Sequence, residues 1–195
     1  MIIGCEIKII DILKLDQKYK NRLRIWRNQD FVRKNMFCQE IITKEQHSQF
    51  IDSLIERADK KFLIAFRNNI PFGVLYYTFF EKDNSIEFGY YLVQQNDINS
   101  GLGIALEYML LEHAFENIGA EKVFARTFDF NNKVVNIHKK FGFHTENIFK
   151  KNTDLDKLED VHFQSIFKYD WNKKKKKIKP LVEFICPIVN MKFVV

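Results

Sequence analysis

The stretch "NSGLGIALEYMLLEHAFENIGA", residues 99–120, decides how the rest of the chain is read. Leu102, Ala105, Leu106, Met109, Leu110 and Ala114 recur at helical spacing, and Gly119 suits the C-terminal stop. Gly101 and Gly103 stand at the front of that helix. Having no Cβ, they let backbone N–H groups come close to a ligand. A helix start adds unpaired donors and a partial positive charge. Together these features make an anion site suited to a diphosphate. The stretch is not a Walker loop, because no Lys-Ser/Thr follows, and it lacks the full dinucleotide fingerprint. A flexible loop before a helix is the alternative that these residues leave open.

Immediately upstream, "SIEFGYYLV" (85–93) alternates like a strand. Ile86, Phe88, Tyr90 and Leu92 share one face, which is core; Glu87, Gly89 and Tyr91 share the other. The second face carries a carboxylate, a gap and a phenol just before the glycine loop, a lining for a pocket. Downstream, "EKVFARTFDF" (121–130) reads as a strand and "NNKVVNIHKKFGF" (131–143) as a short helix. His138 shares a helical face with Val134, Ile137 and Phe141, while Lys133, Asn136 and Lys140 fall opposite. The imidazole therefore points inward.

Working outward, "EIKIIDI" is a first strand and "LDQKYKNRLRIWRNQD" a helix. Thr43 and Gln46 have the spacing of a capping box that starts a second helix. Residues 61–93 read as three antiparallel strands joined at "NNIP" and "EKDNS". "HTENIFK" and "DVHFQSIFKYDW" close the pattern as two more strands. The order β-α-α-β-β-β-α-β-α-β-β predicts an α+β fold. It has one mostly antiparallel sheet of about seven strands, flanked by about four helices.

A chain of 195 residues with 20 Phe has enough apolar surface for one full core. No apolar run reaches the ~18 residues of a spanning helix, and the N-terminus is not a secretory signal. Cys5, Cys38 and Cys186 are odd in number and unpaired in pattern, which fits a reducing cytoplasm. His113, His144 and His162 have no ligand spacing, so no metal site is expected. The net charge of +6 resides largely in the run Lys173–Lys177, so the core is not read as a nucleic-acid binder. The reading gives a domain over 1–172 and a basic, then apolar, tail over 173–195. Pro180, Glu183, Pro187 and Lys192 interrupt the tail's apolar part, so it does not span a bilayer. It is read as an extra strand or a disordered end, with contact to an anionic surface as the alternative.

"SGLGIA" and, further on, "NKVVNIHKKFGF" led by Asn131 resemble the two motifs of the GNAT superfamily of acyl-CoA-dependent N-acetyltransferases. Ser100 replaces the first motif's basic or amide residue, and His138 replaces the second motif's tyrosine. The likeness covers about residues 5–172 and implies the GNAT fold. Within that superfamily, "LRIWRNQDFVRKNMF", "TKEQHSQFI" and "KFLIAFRNNIPFGVLYY" resemble a branch involved in pseudaminic acid synthesis. That branch acetylates the 4-amino group of a UDP-linked 4-amino-4,6-dideoxy sugar. Ribosomal-protein N-terminal acetyltransferases share some of this pattern.

The resemblance implies that Ser100, Gly101, Leu102, Gly103, Ile104 and Ala105 cradle the pyrophosphate of acetyl-CoA. It also implies that Leu92 and Val93 offer backbone to the pantetheine arm between splayed strands, and that Asn131 hydrogen-bonds the cofactor. Positions Arg27, Met36, His47 and Tyr91 would line a nucleotide-sugar pocket. A glutamate that assists the amine in some members falls on Arg126 here, so Glu87, on the Tyr91 face, becomes the candidate base. His138 stands where a tyrosine acid lies near the sulfur, and either takes that role or only positions the sulfur. The acceptor is then a UDP-amino sugar, with a protein N-terminus or another small amine as the alternative. A non-catalytic acyl-CoA-binding module is a further one. A homodimer is compatible with all three.

Overall fold

Turn and cap residues divide the chain into its elements. The computed structural model describes residues 5–153 and 157–195. Strand β1 (Cys5–Asp11) buries alternate residues. Helix α1 (Gln17–Arg27) starts at Asp16, whose side chain accepts from the Tyr19 N–H. A single turn, α2 (Asp30–Arg33), follows. Helix α3 (Lys44–Ile55) opens on the expected box, with Thr43 and Gln46 each satisfying the other's backbone N–H. Strands β2 (Lys60–Arg67) and β3 (Ile70–Phe80) are joined through Asn68 and Asn69. These asparagines take φ of 51° and 66°, the left-handed pair that a tight hairpin needs.

Strand β4 (Ser85–Leu92) precedes α4 (Leu102–Glu112), which widens into a π-type turn over His113–Ile118 and stops at Gly119. Then come β5 (Lys122–Phe128), α5 (Asn132–Phe141), β6 (His144–Asn152) and β7 (Leu158–Phe167). Helix α6 (Lys168–Ile185) and strand β8 (Ile188–Val194) finish the chain.

The eight strands form one sheet in the order β6-β7-β5-β4-β3-β2-β1-β8. All neighbours are antiparallel except β4–β5 and β1–β8. One face, with Ile7, Leu75, Ile86 and Phe88, packs under α4 and α6. The other, with Ile64, Phe66, Val74 and Tyr91, packs under Leu23 and Trp26 of α1 and Leu54 of α3.

The C-terminal part ends in the expected extra strand but reaches it through a helix that was not expected. "KYDW" is helical, not strand: β7 ends at Phe167, and α6 runs straight through the 172/173 boundary. Lysine is a good helix former, and the lysine run stands between apolar residues at helical spacing. Trp171, Ile178 and Val182 face the core that α4 also fills. Lys175 reaches Glu116 at 2.7 Å, and the Trp171 Nε1–H donates to Glu112 at 2.9 Å. Strand β8 then pairs parallel with β1 as the eighth strand. Among the described residues no helix is long and apolar enough to cross a membrane.

Candidate active site

Strands β4 and β5 pair over only three positions, Ser85–Glu87 with Lys122–Phe124. Beyond them the two strands part. The Val93 N–H donates to the Phe72 carbonyl at 3.1 Å. Antiparallel bonding alternates, so Tyr91 and Gly89 also face β3. The backbone groups of Phe88, Tyr90 and Leu92 therefore face the opened side. A cavity of about 230 Å³ fills this gap. Tyr90, Leu92, Gly103, Asn131, Ile137 and His138 are among its walls. Of the two residues expected to offer backbone here, Leu92 turns its backbone groups toward the gap. Val93 does not: its N–H is used by Phe72, and its carbonyl accepts from Gln29 Nε2 at 3.2 Å.

The glycine loop leads into the same gap. Gly101 is the residue before α4 and has φ of 84°, which favours glycine. The Leu102 N–H donates to Ser100 Oγ at 3.2 Å, and the Ser100 hydroxyl donates to the Asp97 carbonyl at 2.7 Å. Ser100 thus shapes the loop. The Ile104 and Ala105 N–H groups both donate to the Gly101 carbonyl, at 2.9 and 3.3 Å. Within the motif the amides of Gly101 and Gly103 are the ones without a protein partner among the described hydrogen bonds.

Beside them lies a groove of about 350 Å³ bordered by Gly101, Gly103, Lys133 and Lys140. The two lysines were not singled out as site residues. The signal was their place on the polar side of α5, which here faces the groove. The Asn131 side chain makes no cap bond to α5 and lines the 230 Å³ cavity.

His138 is buried as expected, at 1% exposure. Its Nδ1 lies 3.0 Å from Gln164 Oε1, and its Nε2 lies 3.7 Å from Glu107 Oε2. The rings of Phe88 and Phe143 flank it. Burial pushes the imidazole down to about 4, against the weaker opposing effect of the Gln164 bond. It is neutral near pH 7. Glu107 was missed altogether, although a carboxylate set among Ala105, Leu106, Tyr108 and Met109 is a visible signal. Its side chain is completely buried, accepts from the Tyr90 hydroxyl at 2.9 Å, and leaves Oε1 without a partner. Burial raises its carboxyl well above the ordinary carboxylate range.

Glu87 is held by Arg126, whose Nε and Nη2 both lie 2.7 Å from Glu87 Oε1. The guanidinium, not the carboxylate, lines the cavity. Met36 and Tyr91 also line it. Tyr91 also borders a second cavity of about 510 Å³, walled by Arg27, His47, Phe50, Lys60 and Phe62. Arg27 Nη2 donates to the Cys38 carbonyl at 2.5 Å, while its Nη1 is buried with no partner. The His47 Nε2–H donates to the Lys20 carbonyl at 2.7 Å and so ties α3 to α1. Of the four expected substrate residues, Met36 thus lines the first cavity, Arg27 and His47 the second, and Tyr91 both. No cluster of three or more metal-ligating side chains exists among the described residues.

The parted strands, free amides and adjoining lysines fit an elongated, diphosphate-bearing thioester. Residues 14–144 match the family model described as "Acetyltransferase (GNAT) domain". The chain belongs to the GNAT acetyltransferase family. It is an N-acetyltransferase with acetyl-CoA as co-substrate. Its fold is similar to that of the spermidine N-acetyltransferase from Vibrio cholerae, solved with CoA and spermine. That pair has TM-score 0.77 and 13% identity, covering 86% of this chain and 98% of the other. The N-acetyltransferase PseH of Campylobacter jejuni is similar at TM-score 0.61 and 20% identity, covering 83% and 97%. No curated protein matches the chain.

Proposed function

We propose that the chain acetylates the amine of a nucleotide-linked sugar of the UDP-4-amino-4,6-dideoxy type, by direct transfer within a ternary complex. The supporting observation is the buried, unpartnered Nη1 of Arg27 at the wall of the second cavity. A guanidinium N–H without a partner suits a phosphate oxygen. Phe62 lies 4.8 Å from Phe50 and stacks on Tyr76 at 5.1 Å, giving flat apolar surface for a pyrimidine. Arg27 and Lys60 on the same wall suit an anionic acceptor and oppose a polyamine.

In this reading Gly101, Gly103, Lys133 and Lys140 hold the diphosphate of acetyl-CoA, which supplies the activated acetyl group. Asn131 and the cleft-facing backbone of Leu92 hold the rest of the arm. The Leu92 N–H faces the opened strand edge and meets the acetyl oxygen as charge develops there. One such donor contributes about 10²–10³ in rate. Joint binding of both partners supplies orientation. Arg126 presents a cation to the amine, which favours the neutral, nucleophilic form. Glu87, behind Arg126, acts as base only through water.

The test compares kcat/KM for the UDP-linked amino sugar, the free amino sugar and spermidine. The nucleotide-linked substrate should lead, and Arg27→Met should erase most of its advantage over the free sugar. A preference for spermidine or for a peptide N-terminus, unaffected by Arg27→Met, refutes the reading.

A further inference from the structure

Helix α6 joins the core by one face only. Trp171, Ile178 and Val182 pack inward. The opposite stripe runs through Tyr169, Lys173, Lys177, Pro180 and Phe184, three or four residues apart. Tyr169 is 69% exposed, Leu181 45% and Phe184 87%. Lys173, Lys174, Lys176 and Lys177 are exposed as well.

Few of these charges find a partner within the protein. Lys175, on the flank of the helix, reaches Glu116 and Glu112 at 2.7 and 3.6 Å. Lys179 stands 3.8 Å from Glu183. Lys173 lies 3.6 Å over the Tyr169 ring. Lys173, Lys174, Lys176 and Lys177 make no ion pair among the described residues. The helix carries seven lysines against two acids, Asp170 and Glu183. Lysines three and four apart repel each other along one side of a helix. A negative surface laid against them relieves that repulsion.

The apolar end of the stripe decides what kind of surface fits. A nucleic-acid backbone would engage the lysines and leave Phe184 and Leu181 in water. An anionic bilayer engages both. Lys177 and Phe184 are about 10 Å apart along the helix axis. A modest tilt therefore lets Phe184 and Leu181 enter the boundary of the acyl chains while the lysine stems reach the headgroups. The contact is peripheral, since no described helix is long and apolar enough to cross a membrane.

We infer that the outer face of α6 docks the enzyme on an anionic lipid bilayer. Lys173, Lys174, Lys176 and Lys177 meet the headgroups, and Leu181 and Phe184 enter beneath them. This holds whichever amine is acetylated.

Flotation of the full chain with vesicles tests it. The vesicles are one part phosphatidylglycerol to two parts phosphatidylcholine, or phosphatidylcholine alone. The parent should bind the anionic vesicles and not the neutral ones, and more weakly as salt rises. Each lysine near such a surface contributes about fivefold to partitioning. Lys173→Gln, Lys174→Gln, Lys176→Gln and Lys177→Gln together should therefore weaken binding by at least ~10²-fold. Glutamine keeps the helix, and parental melting and acetyl-CoA affinity report that the fold is intact. Phe184→Gln should weaken binding by about tenfold. Exposed lysines elsewhere give a control of equal charge. Lys18→Gln, Lys34→Gln, Lys44→Gln and Lys82→Gln together should stay within about fivefold of the parent. Four results overturn the inference: no binding to the anionic vesicles, equal binding to the neutral ones, equal loss in the two lysine sets, or parental binding in Phe184→Gln. Tighter binding to duplex DNA than to the anionic vesicles at the same salt overturns it too. So does a dimer of the parent that Phe184→Gln dissociates, because a second copy would then cover this face.

Discussion

Gly103→Ala separates the needs of the fold from those of the ligand. Gly103 lies in the first turn of α4 with ordinary helical backbone, and a Cβ there would meet only Tyr90 Cε2, at 3.5 Å. That is normal contact, so the fold tolerates the methyl. Alanine is favoured over glycine in a helix by up to about 1 kcal/mol. For a domain of this size that raises Tm by up to ~4 °C. The methyl nevertheless projects into the two cavities that Gly103 borders. It blocks the approach of a diphosphate to the Gly103 amide. Losing one hydrogen bond to a charged group costs about 1.5–3 kcal/mol, or about 10- to 150-fold in acetyl-CoA affinity. Calorimetry and thermal melting on one preparation read both quantities. A variant that melts no lower and binds acetyl-CoA at least tenfold more weakly is the expected result. Unchanged affinity would show that no ligand comes close to this amide.

Gly101→Ala should behave differently, losing both stability and affinity. Its φ of 84° costs a side chain about 1–2 kcal/mol, and the new Cβ would lie 2.9 Å from Ile185 Cδ1; a parental Tm contradicts this. Trp171→Ala should cost about 3–5 kcal/mol in denaturant unfolding. The residue is completely buried, stacks on Phe141 and bonds to Glu112. Ending the chain after Asn172 should likewise destabilise it, because Ile178, Val182 and Cys186 leave the core and β1 loses a neighbour; a parental melting curve would contradict both.

The buried acid and base also shape stability against pH. The His138 contribution is present above pH ~6.5 and is lost as pH falls toward about 4, because the unfolded chain binds the proton more readily. Glu107 runs the other way: its contribution is present below about 4.5 and is lost as pH rises toward its raised folded value. Glu107→Gln should therefore gain stability relative to the parent as pH rises above about 4.5, by up to ~1.4 kcal/mol per pH unit. A constant difference across that range refutes a neutral Glu107.

Local features were legible in the sequence. The capping box at Thr43–Gln46, the Asn68–Asn69 turn and the stop at Gly119 each depend on a few adjacent residues. So did the inward placement of His138, which follows from the period of α5. Features needing partners distant in sequence were not legible. Arg126 covers Glu87 only because β4 and β5 pair in one register before parting. The direction of the His138 nitrogens depends on Gln164, 26 residues away on β7. The lysine run looked like a solvated tail because charge masked Trp171, Ile178 and Val182 at helical spacing.

Mass spectrometry of the products formed from acetyl-CoA and a panel of amines reads the reaction itself. The panel needs UDP-4-amino-4,6-dideoxy sugars, their free sugars, spermidine and peptides with free N-termini. One acetyl group on the amine of a UDP-linked sugar, formed faster than any other product, is the predicted result. Acetyl transfer confined to spermidine or peptides, or to none of the panel, would contradict it.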